Sequence, residues 1–254
     1  MKWNKQSNCH NLLSVCTAHN LSKLSSKPAS ERGSLLEGAF MWIFAVIGEK
    51  GGSGKSCLCQ NLTVWLQQQG HDVLLVDADP QRTTVLWSRE RERNPKLPNI
   101  RVLEAHGDIR ETLLDCAERY EVVVVDVGGA DSQALRASLA VATQVLIPFR
   151  PKRRDLNTLP TVEGWLKEFK PVNPTMKVHS IISQAPALPS QVKRILDAKE
   201  ACASYGIPPL NALTMTRNVY DDAEEGGSSV LEDASDPLAV QEVEAIAAEL
   251  WRAA

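Results

Sequence analysis

The chain has 254 residues, of which 43% are apolar and 23% are charged, as is ordinary for a globular protein. No stretch approaches the ~18 uninterrupted apolar residues of a membrane-spanning helix, and six scattered cysteines exclude a disulfide-stapled scaffold. The net charge of −3 does not indicate a nucleic-acid-binding protein. Residues 1–40 nevertheless carry five basic and two acidic side chains, so the remainder carries 23 basic against 29 acidic, or −6.

Residues 1–40 differ from the rest of the chain. They contain seven serines and no long apolar period, and Pro28, Gly33 and Gly38 interrupt the stretch after one possible short helix. We expect a mostly disordered extension. Its shortage of acidic residues is compatible with a targeting peptide, although it lacks the apolar run of about 7–15 residues in a secretory signal. The alternative is that translation begins at Met41, directly before the first predicted strand.

From Met41 onward, strand patterns alternate with helix patterns. The predicted strands are Trp42–Ile47, Val73–Val76, Arg101–Leu103, Val122–Val125, Gln144–Pro148, Val178–Ile182 and Leu210–Leu213. The predicted helices are Lys55–Gln69, Asp108–Tyr120, Asp131–Ala140, Asp155–Phe169, Ser190–Tyr205 and Pro237–Trp251. This alternation predicts one α/β domain over residues 41–254, with a mostly parallel sheet and helices on both faces.

Local signals place three of the helix starts. Asp108 with Glu111 resembles a capping box. Asp155 is expected to cap its helix, which Pro160 should bend near the start. Pro237 suits the first turn of the last helix, because that turn needs no amide donor.

A glycine-rich loop, Gly48–Ser56 (GEKGGSGKS), lies between the first strand and the first helix. Its glycines allow backbone N–H groups to close around phosphate oxygens, and the helix N-terminus adds the positive end of its dipole. In this pattern Lys55 reaches the β- and γ-phosphates, and Ser56 offers a hydroxyl to Mg²⁺. The alternative is a merely flexible turn. The predicted nucleotide-binding residues are Gly51, Gly52, Ser53, Gly54, Lys55, Ser56 and Cys57.

Two positions in this loop depart from the strict Walker A pattern. Glu49 stands where that pattern has glycine, and Lys50 is a second lysine. The loop resembles the deviant Walker A loop of the ParA/MinD family of ATPases, and the chain is similar to P-loop NTPases of that family. The resemblance implies that Lys50 crosses a dimer interface to the partner's nucleotide. The alternative is a solvated loop lysine.

Carboxylates follow two of the predicted strands. Asp77 and Asp79 come directly after the second strand, where ligands bind in open α/β sheets. Aspartates beside a phosphate loop can hold Mg²⁺ or orient an attacking water. The segment DADPQ resembles switch I of ParA proteins, which implies that Asp79 positions water and Asp77 supports the Mg²⁺ shell. Alternatively, Asp77 only caps the turn before Pro80.

The segment YEVVVVD, Tyr120–Asp126, reads as a Walker B strand in which Asp126 holds Mg²⁺ through water. The family usually continues with two prolines, where this chain has Gly128 and Gly129. Glycines should make this turn more flexible than prolines would. Small, ParF-like ParA proteins also have a glycine-containing turn here.

The late segments Thr214–Tyr220 and Gly226–Glu232 resemble the part of small ParA proteins that borders the adenine. Ser183 stands where the family usually has asparagine after a strand. A hydroxyl offers fewer hydrogen bonds to a base than an amide, so the adenine contact at Ser183 is not expected to match the family's.

Two basic clusters interrupt the acidic domain. The residues predicted to bind DNA phosphates are Arg150, Lys152, Arg153 and Arg154 after one strand, with Lys193 and Arg194 on a later helix. Non-specific DNA binding by ATP-bound dimers is a property of ParA proteins; the alternatives are a solvated face or a dimer rim. The last helix carries Glu242, Glu244 and Glu249, so we expect it to pack on the domain, unlike the basic membrane-binding helix of MinD relatives.

These resemblances identify the chain as similar to a small ParA-type partition ATPase. They imply ATP and Mg²⁺ as cofactors, catalysis by Lys50, Lys55 and Asp79, and metal binding by Ser56, Asp77 and Asp126. They also imply an ATP-dependent homodimer, a ParB-like centromere-binding partner, a cytoplasmic, nucleoid-associated location and no membrane. Two alternatives remain open: a positioning ATPase for another cargo, such as secretion or cellulose-synthesis machinery, or a metabolic ATP-dependent ligase of the same fold.

Overall fold

The structure, a computed structural model, describes residues 41–129, 132–233 and 235–253, without the side chain of Glu224. Its strands are β1 Trp42–Val46, β2 Val73–Ala78, β3 Arg101–Glu104, β4 Val122–Val127, β5 Gln144–Phe149, β6 Lys177–Ala185 and β7 Pro209–Met215. Its helices are α1 Lys55–Gln68, α2 Thr83–Glu92, α3 Arg110–Ala117, α4 Gln133–Val141, α5 Arg153–Leu156, α6 Leu159–Phe169, α7 Val192–Ser204, α8 Val219–Glu224, α9 Val230–Asp233 and α10 Pro237–Ala253. The expectations for residues 1–40 lie outside the described residues.

The strands form one parallel sheet in the order β3-β2-β4-β1-β5-β6-β7. Because all strands run the same way, the loops that leave their carboxyl ends meet at one edge of the sheet. The register places Asp77 of β2 beside Asp126 of β4, and Val46 of β1 on the other side of Asp126. The topology therefore brings the phosphate loop and both carboxylate strands together.

Helices cover both faces of the sheet, and successive strand residues contribute to opposite faces. Val123 and Val125 join a core with α3, α4, α6 and α7, whereas Val122 and Val124 join a core with α1 and α10. The predicted α/β domain with helices on both faces is confirmed.

Two predicted helix caps are wrong. Ile109, which is buried in the core, is the residue before α3, so Asp108 lies one position too early and instead accepts a bond from the amide of Arg110 at 3.2 Å. Asp155 lies inside the short helix α5, where its carboxylate binds an arginine instead of capping α6. Pro160 falls in the first turn of α6, where proline fits, so it causes no bend.

The last helix packs on the domain as predicted. It begins at Pro237 and buries Val243, Ile246 and Leu250. Two of its acidic side chains bind the edge strand β7: Glu249 accepts the amides of Asn211 and Ala212 at 2.8 and 2.9 Å, and Glu242 accepts that of Met215 at 3.0 Å. Among the described residues, no helix is both long and apolar enough to cross a membrane.

Candidate active site

The phosphate loop between β1 and α1 is closed on itself by one carbonyl. The backbone oxygen of Lys50 accepts bonds from the Ser53 hydroxyl at 3.3 Å and from the Lys55 ammonium at 3.2 Å. Gly52 and Gly54 have φ angles of 70° and 87°, in the left-handed region that favours glycine. Lys55 is therefore held inside a curved backbone whose amides are available to an anion.

The end of β6 supports the phosphate loop from the side. The Ser183 hydroxyl donates to the carbonyl of Ser53 at 2.8 Å, and Nε2 of Gln184 donates to the carbonyl of Gly52 at 3.0 Å. Gln184 has a φ of 48°, which is uncommon for a residue with a side chain. Ser183 therefore contacts the loop backbone, and its hydroxyl proton is already used there. Sequence reasoning missed Gln184, because nothing in the local sequence predicts its left-handed backbone.

Asp126 is a buried carboxylate with one oxygen left without a donor. The hydroxyl of Thr84, a residue not anticipated from the sequence, donates to Oδ2 at 2.7 Å. Oδ1 is buried and accepts no hydrogen bond from the described residues. Burial raises the pKa of Asp126 to about 6; the hydroxyls of Thr84 and Ser56 oppose this, and the charges of Asp77 and Asp79 add to it. An unsatisfied carboxylate oxygen near a serine hydroxyl fits the oxygen ligands that Mg²⁺ prefers.

Asp77 organises the chain between β2 and α2. Its side chain is fully buried and accepts the amides of Asp79 at 3.0 Å and Val85 at 2.8 Å. Burial raises the pKa of Asp77, and these two bonds oppose the rise. The turn role considered for Asp77 is therefore present, and its support of a magnesium shell stays a prediction. Asp79, which is partly exposed, lies at the cavity and accepts the amide of Gln81 at 2.9 Å.

Gly128 and Gly129 allow the turn after β4 to approach the phosphate loop closely. A Cβ on Gly129 would lie 2.8 Å from the carbonyl oxygen of Glu49, and a Cβ on Gly128 would lie 3.0 Å from Cδ of Pro80. Neither glycine has a positive φ. Steric room against the neighbouring loops therefore requires glycine at position 129, and the flexibility expected of this turn stays a prediction.

A cavity of about 660 Å³ opens from the phosphate loop toward β7 and α10, a volume suited to a small ligand. The phosphate loop, Cys57 and Asp79 line its polar side. Elsewhere it is lined by Thr214, Thr216, Arg217 and Tyr220, from a segment predicted to border a base, and by Ser183, Gln184, Val243 and Ile246. The other segment predicted to border the base, Gly226–Glu232, does not line this cavity. The polar and apolar ends match the phosphates and the base of a nucleotide.

The predicted DNA-binding residues separate into two groups. Lys152, Arg153 and Arg154 are exposed, as are Lys193 and Arg194 on α7, which contacts α5. Arg150 does not belong to this surface, because its guanidinium binds the buried carboxylate of Asp155 beside the phosphate loop. Its assignment as a surface DNA contact is corrected on this geometry.

The chain matches one family model and is similar to several known proteins. The family model described as "CobQ/CobB/MinD/ParA nucleotide binding domain" matches residues 44–236. A "Maintenance of carboxysome distribution protein A" from Gloeobacter kilaueensis is 30% identical over 201 residues, covering 75% of this chain and 84% of the relative. A "Protein ParA" from Rhizobium radiobacter is 33% identical over 118 residues, covering 45% of this chain and 51% of the relative.

Among solved structures, an ATP complex of McdA from Cyanothece superposes with a TM-score of 0.66 at 16% identity, covering 84% of this chain and 97% of that one. This likeness concerns the fold, whereas the family model covers most of the sequence. The chain therefore belongs to the CobQ/CobB/MinD/ParA nucleotide-binding family and is a P-loop ATPase of the ParA/MinD type.

Proposed function

We propose that this protein is a DNA partition ATPase that dimerises on ATP, binds DNA without sequence preference and is reset by partner-stimulated hydrolysis. The observation that carries the proposal is that five exposed cations lie on or beside the contacting helices α5 and α7, in the same domain as a phosphate loop with a second lysine; we call them the basic surface. The five cations of this surface are Lys152, Arg153, Arg154, Lys193 and Arg194.

In this proposal, ATP hydrolysis depends on the phosphate loop and on the carboxylates that follow β2 and end β4. Lys55 neutralises charge on the phosphates, and Asp79 orients the attacking water from the rim of the cavity. Ser56 and Asp126 hold Mg²⁺, which supplies positive charge to the phosphate oxygens when bound. Catalysis by these residues consists of positioning and charge neutralisation, so no covalent intermediate on the protein is needed.

Lys50 is assigned to the dimer interface. Its side chain is 38% exposed, its ammonium lies 3.7 Å from the carboxylate of Glu49, and it does not line the cavity of its own subunit. A lysine outside its own cavity can act on a second subunit's nucleotide. Lys50→Ala should abolish ATP-dependent dimers in sedimentation experiments, whereas Lys96→Ala, an exposed lysine on a distant loop, should dimerise like the wild type. Normal dimers and hydrolysis by Lys50→Ala would refute the assignment.

DNA binding is assigned to phosphate contacts by the basic surface. The surface is basic near the start of α7, while Asp197 and Glu200 lie farther along the helix and are also exposed. Replacing Arg153 and Arg154 by alanine should weaken DNA binding equally for all sequences. The slope of log K against log salt concentration should become shallower by about 0.9 for each DNA phosphate that is no longer neutralised. Lys96→Ala again serves as the control. An unchanged salt slope would exclude this surface as the DNA site.

The identity of the cargo has a strong alternative: the cargo could be DNA or a different cellular body. The carboxysome-distribution relative favours a related function, the positioning of a non-DNA cargo by the same ATPase cycle. A ParB-like centromere-binding partner would stimulate ATP turnover only with its own DNA site present. The decisive measurement is the ATPase rate with DNA, with the neighbouring gene product, and with both. Stimulation by a partner that binds no centromere favours cargo positioning, and turnover that requires a small acceptor favours a metabolic ligase.

A further inference from the structure

Arg150 differs from the basic residues that come after it in the sequence. Its Nε and Nη2 bind Oδ2 and Oδ1 of Asp155 at 2.6 and 3.1 Å. The Asp155 side chain is only 3% exposed and that of Arg150 22%, whereas Lys152, Arg153 and Arg154 are exposed. A two-point contact with a buried carboxylate fixes the plane of the guanidinium, so Arg150 is an oriented cation at the end of β5.

The edge of the guanidinium opposite Asp155 lies against the phosphate loop. Nη1 has no hydrogen-bond partner among the described residues, and a Cβ built on Gly52 would lie 3.5 Å from it. Gly52 lines the cavity, whereas Arg150, like Lys50, lies just outside the lining; the Gly52 carbonyl accepts a bond from Gln184. Two unused N–H donors are therefore held beside the loop whose amides are available to an anion.

We propose that Arg150 binds the terminal phosphate of a nucleoside triphosphate and makes the site prefer triphosphate over diphosphate. This inference rests on the proposed nucleotide-binding function of the cavity. A guanidinium edge forms charge-assisted bonds to phosphate oxygens, and the pair with Asp155 keeps it oriented before the ligand arrives. The phosphate belongs either to the subunit's own nucleotide or to that of a second copy facing the loop. The chemistry is the same, and the experiment separates the two sources.

The test compares the affinities of the full chain for ADP and for a non-hydrolysable ATP analogue, both with Mg²⁺. Arg150→Ala should weaken binding of the triphosphate on the order of ten- to a hundredfold, the loss expected for a hydrogen bond between charged groups, and should change ADP binding about twofold or less. Lys96→Ala, which changes an exposed lysine of the turn before β3, should leave both affinities unchanged.

A second variant guards against a purely structural effect, because Arg150→Ala leaves the buried Asp155 without a partner. The double variant Arg150→Met/Asp155→Asn contains no unpaired buried charge and should show the same selective loss of triphosphate binding. If triphosphate affinity falls at protein concentrations where the chain is monomeric, Arg150 binds the phosphate of its own subunit's nucleotide. If the affinity falls only at concentrations where dimers form, Arg150 binds the phosphate of the second copy's nucleotide.

Two results would overturn the inference: an unchanged ratio of triphosphate to diphosphate affinity in both variants, or an equal loss of both affinities. If the wild-type protein binds neither nucleotide, the proposed function fails together with this inference. If the wild type binds both and only the ratio test fails, the inference about Arg150 fails alone.

Discussion

Replacing Gly129 by alanine tests the close approach of the β4 turn to the phosphate loop. The added Cβ would lie 2.8 Å from the carbonyl oxygen of Glu49 and 3.5 Å from its carbonyl carbon. Both are backbone atoms, so no side-chain rotation can relieve the contact. The phosphate loop must therefore move, and both stability and nucleotide affinity should fall.

The sign of the change in the free energy of unfolding shows whether Gly129 is needed for steric room or for flexibility. Forcing a methyl group into a well-packed position typically costs about 1–3 kcal/mol, which lowers the Tm of a domain of this size by about 2–4 °C per kcal/mol. If Gly129 only supplied flexibility, alanine would instead stabilise the protein by about 0.4–1 kcal/mol, because it restricts the unfolded chain.

The assay is urea unfolding of the nucleotide-free protein, followed by titration with an ATP analogue. Gly164→Ala is the matched control, because a Cβ on Gly164 in α6 would meet no atom within 4 Å. This helix substitution should raise stability by roughly 0.5–1 kcal/mol and leave nucleotide affinity unchanged. A Gly129→Ala protein as stable as the wild type, with normal affinity, would refute the steric argument.

Two further substitutions test the packing and the charge of the domain. Gly227→Ala would drive a Cβ into the backbone of Arg91 and should destabilise the protein by about 3 kcal/mol in urea unfolding, whereas Gly226→Ala, which meets no atom within 4 Å, should cost only the roughly 1 kcal/mol of a left-handed backbone. Because the pKa of Asp126 is raised to about 6, its charged form destabilises the metal-free protein above that pH. Asp126→Asn should therefore be more stable than the wild type at pH 8 in EDTA, by up to about 3 kcal/mol, with the difference shrinking toward pH 4. The variant should also lose Mg²⁺-dependent turnover. If its gain in stability over the wild type is smaller at pH 8 than at pH 4, the direction of the pKa shift is contradicted.

Much of the fold follows from local patterns. The four valines before Asp126 predict a strand buried on both faces, and the glycines at 52 and 54 predict a loop that needs left-handed backbone. The errors fall where a local signal competes with distant packing. Asp108 and Asp155 both have the side chain of a helix cap, but the burial of Ile109 and the pairing with Arg150 decide where each lies.

Residues that support the site were less predictable, because their partners are far away in sequence. Thr84 bonds Asp126 across 42 positions, and Gln184 bonds Gly52 across 132. No periodicity or motif within either segment encodes such a contact. The strand register and the helices that pack on it create both.

The sequence by itself determined the class of the protein, because a phosphate loop, DADPQ and a Walker B strand depend on residue types at fixed short spacings, and the backbone around each is local. Tertiary structure alone decided which members of the basic cluster are exposed and which one is paired inside the fold. Arg150 and Arg153 are three residues apart and chemically identical, yet a buried carboxylate turns one toward the phosphate loop while the other remains in solvent. The physical reason is burial: the side chain of Asp155, enclosed by the fold, requires a cation, and Arg150 is the cation that lies within reach of it.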